Sequence, residues 1–459
     1  MFWLDRGTVE DSRTFLIDGE SSYTFAEVFN IGDRLFEGLS GGVALIACRK
    51  NLETIAVYCG ALRANIVPLL IDADSSGDVI KELAESYEAE YVLLDRGIEW
   101  DGYRRVQSLR TISLYLRSVK TGKQTDDALA LLLPTSGSTG DPKCVRMSAQ
   151  NIVSATESIT RYMKFSSDRV SISSLPLHYT YGLSVLNCAL ESRSSFIVTN
   201  YSWVDREFWQ LAEEMGVTDL SGVPFMFEVF RRIRLSDKFF SSLKCVNQAG
   251  GRLNPKLTKY FVELFRDKDV DYLTMYGQTE ASPRISYVPA DAAERKVGTI
   301  GIPIDIGVLK TDAADGCSEG ELIYQGPNVC LGYARKREDL SLGDENRGIL
   351  HTGDIGVIDE DGFATIVGRK KRFVKVFGMS VNLDAVESIS KHEVEQSAVV
   401  GRDDLVLIVE TEGRAKELKE KVLSRVSFPS RGLKCITIDE LPFKSSGKLD
   451  YQKIVSEHL

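Results

Sequence analysis

From residue 42 onward the hydrophobic positions alternate between two textures. Short apolar runs, "VALIAC" (43–48), "IVPLLID" (66–72) and "YVLLD" (91–95), are separated by longer stretches in which apolar residues recur at helical spacing, "NLETIAVYCGALRAN" (51–65) and "GDVIKELAESYEAE" (77–90). That alternation predicts parallel strands joined by crossover helices. It returns in "RVSISSLPL" (169–177), "SSFIVTN" (194–200), "REFWQLAEEMG" (206–216), "VTDLSGVP" (217–224) and "LKCVNQAG" (243–250), which predicts a second doubly wound sheet. From about 297 short strands and glycine turns take over. "DIGVIDEDGFATIVG" (354–368) reads as a hairpin turning at Asp-Glu-Asp-Gly. After "GRKKRFVKVFG" (368–378) comes a smaller α+β pattern: a helix at "NLDAVESISKH", a strand at "LVLIVET" and a charged helix at "RAKELKEKVLSRV". The expected architecture is a large N-terminal α/β domain over 1–367, holding two doubly wound sheets and a small β-rich subdomain. A hinge at 368–370 and a small α+β C-terminal domain over 371–459 follow.

Composition narrows the function. The chain has 459 residues and a net charge of −10, which argues against a broad basic face for nucleic acid or anionic lipid. Its eight cysteines contain no CxxC pair, so neither a zinc site nor a disulfide framework is indicated. No stretch approaches the roughly 20 apolar residues of a membrane span, and the N-terminus lacks a signal-peptide core. The expectation is a cytoplasmic protein without a membrane partner. The basic run "GRKKR" reads first as a solvated face, with its place between two textures suggesting a hinge.

The candidate chemistry lies in glycine-rich segments. "LLLPTSGSTGDPKCVR" (131–146) sets small residues and hydroxyls before a lysine, a composition suited to phosphate. It is no Walker loop, because Pro142 precedes Lys143 and Cys144 follows it. "NQAGGRL" (247–253), "MYGQTEAS" (275–282), "GELIYQGPNVCLGY" (320–333), "HTGDIG" (351–356) and "LPFKSSGKLD" (441–450) follow in order. Together with "ALRANIVPLLIDAD" and "GRKKRFVKVFG", this series resembles the adenylate-forming superfamily of acyl- and aryl-CoA synthetases, peptide-synthetase adenylation domains and beetle luciferases. Coverage runs from "SYTFAEV" at 22 almost to the C-terminus.

The resemblance implies roles for particular residues. Thr135, Ser136, Gly137, Ser138, Thr139, Gly140 and Lys143 would hold the β- and γ-phosphates of ATP. Tyr276, with Gly277 beside it, would stack on adenine opposite Gly250 and Gly251; Thr279 would donate to a phosphate and Glu280 would hold Mg²⁺. Asp354 would accept the ribose hydroxyls, with Arg369 adding a contact. Lys448 would bridge the substrate carboxylate and the α-phosphate, then swing away about Lys370 so that Lys375 and Gly378 meet the thiol acceptor. The acid pocket would include Tyr179, Tyr181, Val223, Phe225, Met226, Ala249 and Arg284, the last either a structural arginine or a partner for a second acidic group. "LPLHYTYGL" departs from the family pattern by placing His178 one position early and Tyr179 where histidine is expected.

The resemblance implies an AMP-forming acid–thiol ligase. It would activate a carboxylic acid, aryl or short acyl and without an α-amino group, and pass it to CoA or a carrier-protein phosphopantetheine. Residues 178–181 offer no carboxylate for an ammonium, and Asp219 is the one substitute in view. An amino-acid-activating enzyme, a luciferase-type oxidase and a silent binding relative are the rival readings; the presence of Lys448, Glu280 and Asp354 speaks against the last.

Overall fold

The computed structural model describes residues 1–4, 11–119, 121–135, 143–233, 236–313, 318–377, 379–402, 405–425, 429–443 and 449–459. Two compact units emerge: Met1–Val297 with Pro303–Val308 and Gln325–Leu350, and Gly298–Ile302 with Leu309–Tyr324 and His351–Leu459. The contact boundary thus falls at Leu350, and most of the β-rich stretch groups with the C-terminal end.

The first unit holds the two expected sheets. In one, the strands Leu129–Thr135, Val67–Asp72, Val43–Cys48 and Tyr91–Leu94 run parallel, with Lys143–Ser148 and Gly332–Ala334 antiparallel on one side and Ile112–Arg117 and Tyr103–Leu109 on the other. Val43–Cys48 is buried at all positions, as a strand covered on both faces must be. The crossover helix Leu52–Arg63 lies so close to the helix Phe25–Leu35 that a Cβ on Gly32 would fall 2.2 Å from the Ala56 carbonyl oxygen. Only hydrogen fits there.

In the other sheet, Asp271–Tyr276, Cys245–Gln248, Asp219–Gly222, Val170–Ile172, Ser195–Val198 and Thr14–Asp18 run parallel. Ser286–Val288 and Ser21–Thr24 pair antiparallel with the first and last of these strands. An aromatic core of Trp203, Phe208, Trp209, Phe227, Phe230, Phe261, Phe265 and Tyr272 covers one face. Because every connection leaves a strand at the same end, the segments after 172, 222, 248 and 276 share the carboxyl edge, where open α/β sheets bind ligands.

The second unit contains a four-stranded sheet, Val308–Ala313, Gly320–Gln325, Ile349–Ile358 and Ala364–Arg369. The last two form the hairpin expected from "DIGVIDEDGFATIVG". It also contains the pair Phe373–Val376 and Met379–Asn382, and a three-stranded sheet, Ser397–Arg402, Leu405–Glu410 and Leu433–Thr437. The helices Leu383–Glu393, Ala415–Leu423 and Tyr451–His458 cover that sheet through Val386, Leu418, Val422 and Ile454.

The "GRKKR" run is a solvated face only in part, Arg369 and Lys370 being largely exposed. Arg369 pairs with Asp354 and Lys370 with Glu321 at 2.9 Å, while Arg372 is mostly buried between Asp384 and Glu387. Sequence reasoning could not place these acids because they come from neighbouring strands and a later helix.

Candidate active site

The turn after Asp271–Tyr276 is built to hold its side chains still. Ile285 N–H donates to the Tyr276 carbonyl at 3.0 Å, and Cys330 N–H donates to the Glu280 carbonyl at 2.8 Å. Asn328, fully buried, spends its amide on the carbonyls of Ala281 (2.6 Å) and Arg284 (2.7 Å). A Cβ at Gly277 would lie 1.7 Å from the Pro283 oxygen, so the glycine of "YGQ" lets the turn close on itself. Tyr276, Gly277, Thr279 and Glu280 are all half-buried on this turn.

Two groups from separate elements meet at Tyr333. Its strand, Gly332–Ala334, pairs antiparallel with Lys143–Ser148, opposite Val145. The Lys143 ammonium sits 3.3 Å from the Tyr333 ring centroid, and the Tyr333 hydroxyl donates to Glu280 Oε1 at 2.7 Å. Burial and the neighbouring Glu280 charge raise the Tyr333 phenol far above its ordinary value, so it stays a donor. Thr279 pairs with Thr180, Oγ1 to Oγ1 at 2.8 Å. Cation and carboxylate thus stand by the end of Leu129–Thr135, where the phosphate-loop sequence begins. Tyr333 and Asn328 carried no assigned role in the sequence reading, although both stand in the quoted "GELIYQGPNVCLGY" segment.

The expected acid-pocket residues largely gather. Tyr181, Val223 and Ala249 are buried in one cluster, with Tyr179 and Met226 packed against it. The helix Pro224–Phe230 explains part of this, since Phe227 and Phe230 anchor it in the aromatic core and Met226 takes another face. Phe225 is 42% exposed, the most open of the set. Arg284 is buried, its guanidinium carbon 4.6 Å from the Tyr181 ring centroid. Gly250 adopts φ +84° and Gly251 is exposed, its carbonyl accepting from Gln248 Nε2 at 2.8 Å. His178 approaches Asp72 at 3.8 Å, and burial lowers its pKa, which favours the neutral ring. Cys144 is buried, its thiol pushed up to about 12 by that burial, as a packing residue would be.

Within the second unit, Asp354 faces Arg369 across the hairpin, with Arg369 Nε 3.0 Å from its Oδ1. Asp354 is buried and the guanidinium largely exposed. Lys370 reaches Glu321; burial pushes the Glu321 carboxyl up, but Lys370 and the Gly353 N–H hold it below its ordinary value. Ser136, Gly137, Ser138, Thr139, Gly140, Gly378 and Lys448 lie outside the described residues, as do the side chains of Thr135 and Lys375.

Asp219 does not serve as the substitute considered from sequence. It opens its strand, at the end opposite the carboxyl edge, where Thr218 donates to it and Arg169 lies 3.6 Å away.

The AMP-binding enzyme family matches residues 5–334, and the chain belongs to it. Among its relatives is a 2-succinylbenzoate–CoA ligase of Bacillus cereus, 27% identical, the match covering 97% of this chain and 96% of the relative. 4-Coumarate–CoA ligase 3 of Oryza sativa subsp. japonica is 26% identical, covering 95% and 88%. The fold matches o-succinylbenzoate CoA synthetase from Bacillus subtilis in complex with its acyl-adenylate intermediate, with TM-score 0.80, 22% identity and coverage of 99% and 97%. ATP-bound MatB from Rhodopseudomonas palustris gives TM-score 0.78 at 20% identity, covering 97% and 95%. The enzyme class expected from the motifs, an AMP-forming acid–thiol ligase, is borne out, as is the fold class. Among the described residues no helix is long and apolar enough to cross a membrane.

Proposed function

We propose that the protein uses ATP to convert an aryl carboxylic acid without an α-amino group into an acyl-adenylate and pyrophosphate. A thiol, of CoA or of a carrier-protein phosphopantetheine, then takes the acyl group and releases AMP. The observation that carries this reading is the meeting of Lys143 and Glu280 at Tyr333, at the mouth of the phosphate-loop sequence.

Lys143 supplies positive charge for the departing phosphates, and Thr279 a hydroxyl donor. Glu280 fits a magnesium site: its carboxylate is half-buried, hydrogen-bonded by Tyr333 at one oxygen and held on a fixed turn. Mg²⁺ held there would offset charge on the phosphates. Tyr276 and the Gly250–Gly251 segment suit a flat base, and the Asp354–Arg369 pair suits a ribose, a carboxylate accepting two hydroxyls. Lys448 remains the proposed carrier of positive charge to the attacking carboxylate, Lys370 the proposed hinge, and Lys375 and Gly378 the proposed second-step loop.

The aryl preference is supported by Tyr179, Tyr181, Val223, Met226 and Ala249, which offer flat apolar surface with hydroxyls at the edge. The relatives named for 2-succinylbenzoate and 4-coumarate act on aromatic acids, in agreement. The described cysteines are free thiols, which fits a reducing cytoplasm. The test is a product balance with ATP, acid and CoA or a pantetheinylated carrier. Equal amounts of AMP, pyrophosphate and thioester support the reading; acid-dependent AMP release that consumes oxygen instead of thiol replaces it with the oxidase.

A further inference from the structure

Arg284 is a buried cation for which the described residues supply no counter-ion. It is 2% exposed, and its Nε has no hydrogen-bond partner. Among the described residues no aspartate or glutamate forms an ion pair with it. The side chains that feel its charge most directly are phenols and a thiol, the Tyr162 hydroxyl among them as a hydrogen-bond partner. Tyr179 is pushed up to about 12 and Cys188 to about 12, in each case by burial first, with the Arg284 charge pulling the other way. Tyr162 and Tyr181 are raised further for the same reasons. All four stay protonated at neutral pH, so none can serve as the missing anion.

A second orphan donor lies at the hydroxyl end of the same tyrosine. The Tyr181 hydroxyl donates to Asn247 Oδ1 at 2.5 Å, while Asn247 Nδ2, buried with the rest of that residue, has no partner. Two unpaired donors, one of them charged, therefore adjoin the Tyr181 side chain in the acid-pocket cluster. Leaving a guanidinium buried and unmatched costs several kcal/mol. A ligand that brings acceptors and negative charge removes that penalty.

We propose that Arg284 receives a second anionic group of the substrate, so that the preferred acid carries a further carboxylate or comparable anion besides the carboxyl that attacks ATP. This rests on the acid-activating reading above. The two ends of the molecule are told apart by position: Lys143 and Glu280 gather at Tyr333, whereas Arg284 sits among Tyr162 of the helix Ala149–Tyr162 and Tyr181 and Cys188 of the helix Thr180–Ser192. Two neutral hydroxyls and an apolar wall recognise the linker between the ends; the guanidinium recognises the distal charge. Asn247 Nδ2 adds a hydrogen bond to the same group.

The experiment is acid-dependent ATP–pyrophosphate exchange by the wild-type enzyme on matched pairs. Each pair is a benzoic acid bearing a carboxylate, on the ring or at the end of a short side chain, and the same skeleton with a carboxamide in its place. The expected result is that at least one diacid exceeds its carboxamide partner by about tenfold or more in kcat/KM, the scale of a desolvated charge-assisted contact. Arg284→Gln should erase that preference and Arg284→Lys should restore part of it. Equal or better exchange with every carboxamide partner overturns the second-anion proposal while acid activation stands. Exchange with no acid of the panel overturns both. The wild-type comparison decides the matter even if the variants fail to fold.

Discussion

Tyr333 does two things with one side chain. Its ring carries the Lys143 ammonium and its hydroxyl orients Glu280. Tyr333→Phe keeps the first and removes the second, so exchange should fall about 10–100-fold, the usual cost of losing an outer partner of a metal-binding group. The loss should appear chiefly as a raised Mg²⁺ requirement. An unchanged magnesium titration would separate Tyr333 from the metal. Lys448→Ala is expected to cost about 10²–10³ in exchange, as for one lost transition-state donor. Conversion of a supplied acyl-adenylate to thioester should be spared, because the lysine is proposed to serve the first step alone. Equal loss in both half-reactions would contradict that division. Amino acids should fail as substrates, since the carboxylate of Asp219 is committed to Thr218 and Arg169 at the wrong end of its strand. A proteinogenic amino acid outperforming every amine-free acid would overturn this.

At the level of elements, the sequence was most legible where burial follows a simple period. "VALIAC", "NLETIAVYCGALRAN" and "DIGVIDEDGFATIVG" became the strand, helix and hairpin their patterns predict. It was least legible where a side chain's partner comes from a distant segment. Nothing near Arg372 in sequence marks it as the lid on Glu387, which also accepts from Lys391 at 2.6 Å and Tyr451 at 2.8 Å. Asn328 is a further case, its two carbonyl acceptors lying more than forty positions earlier. Burial pushes the Glu387 carboxyl up, but Lys391 and Arg372 outweigh it and hold the pKa low. A depressed carboxylate contributes stability above its ordinary pKa, about 4.3, and loses it as pH falls through the lower folded value. Glu387→Leu takes from the mostly buried Arg372 one of its two carboxylate partners and leaves it Asp384, for which the expected loss is about 1–3 kcal/mol. Denaturant melts of the full chain at pH 7 check the number. The gap between variant and wild type should begin to narrow as pH falls below about 4.3 and go on narrowing through the lower folded value.

For the whole molecule, the Tyr276 turn belongs to the first compact unit and the Asp354–Arg369 pair to the second. The motifs were legible in order because each is a local device, a turn or a strand end, written in neighbouring residues. The division between units was less so, since it is decided by contacts among segments far apart in sequence. If Lys370 is the hinge, Lys370→Pro should slow thioester formation more than exchange; the reverse pattern would place the hinge elsewhere. All of this presupposes that the chain forms an acyl-adenylate. The most direct measurement is the exchange of labelled pyrophosphate into ATP with Mg²⁺ and an aromatic acid, and with no thiol present. The account predicts exchange that requires the acid and stops when ATP is replaced by a non-hydrolysable α,β analogue. Thioester formation without any such exchange, or exchange indifferent to the acid, would contradict it.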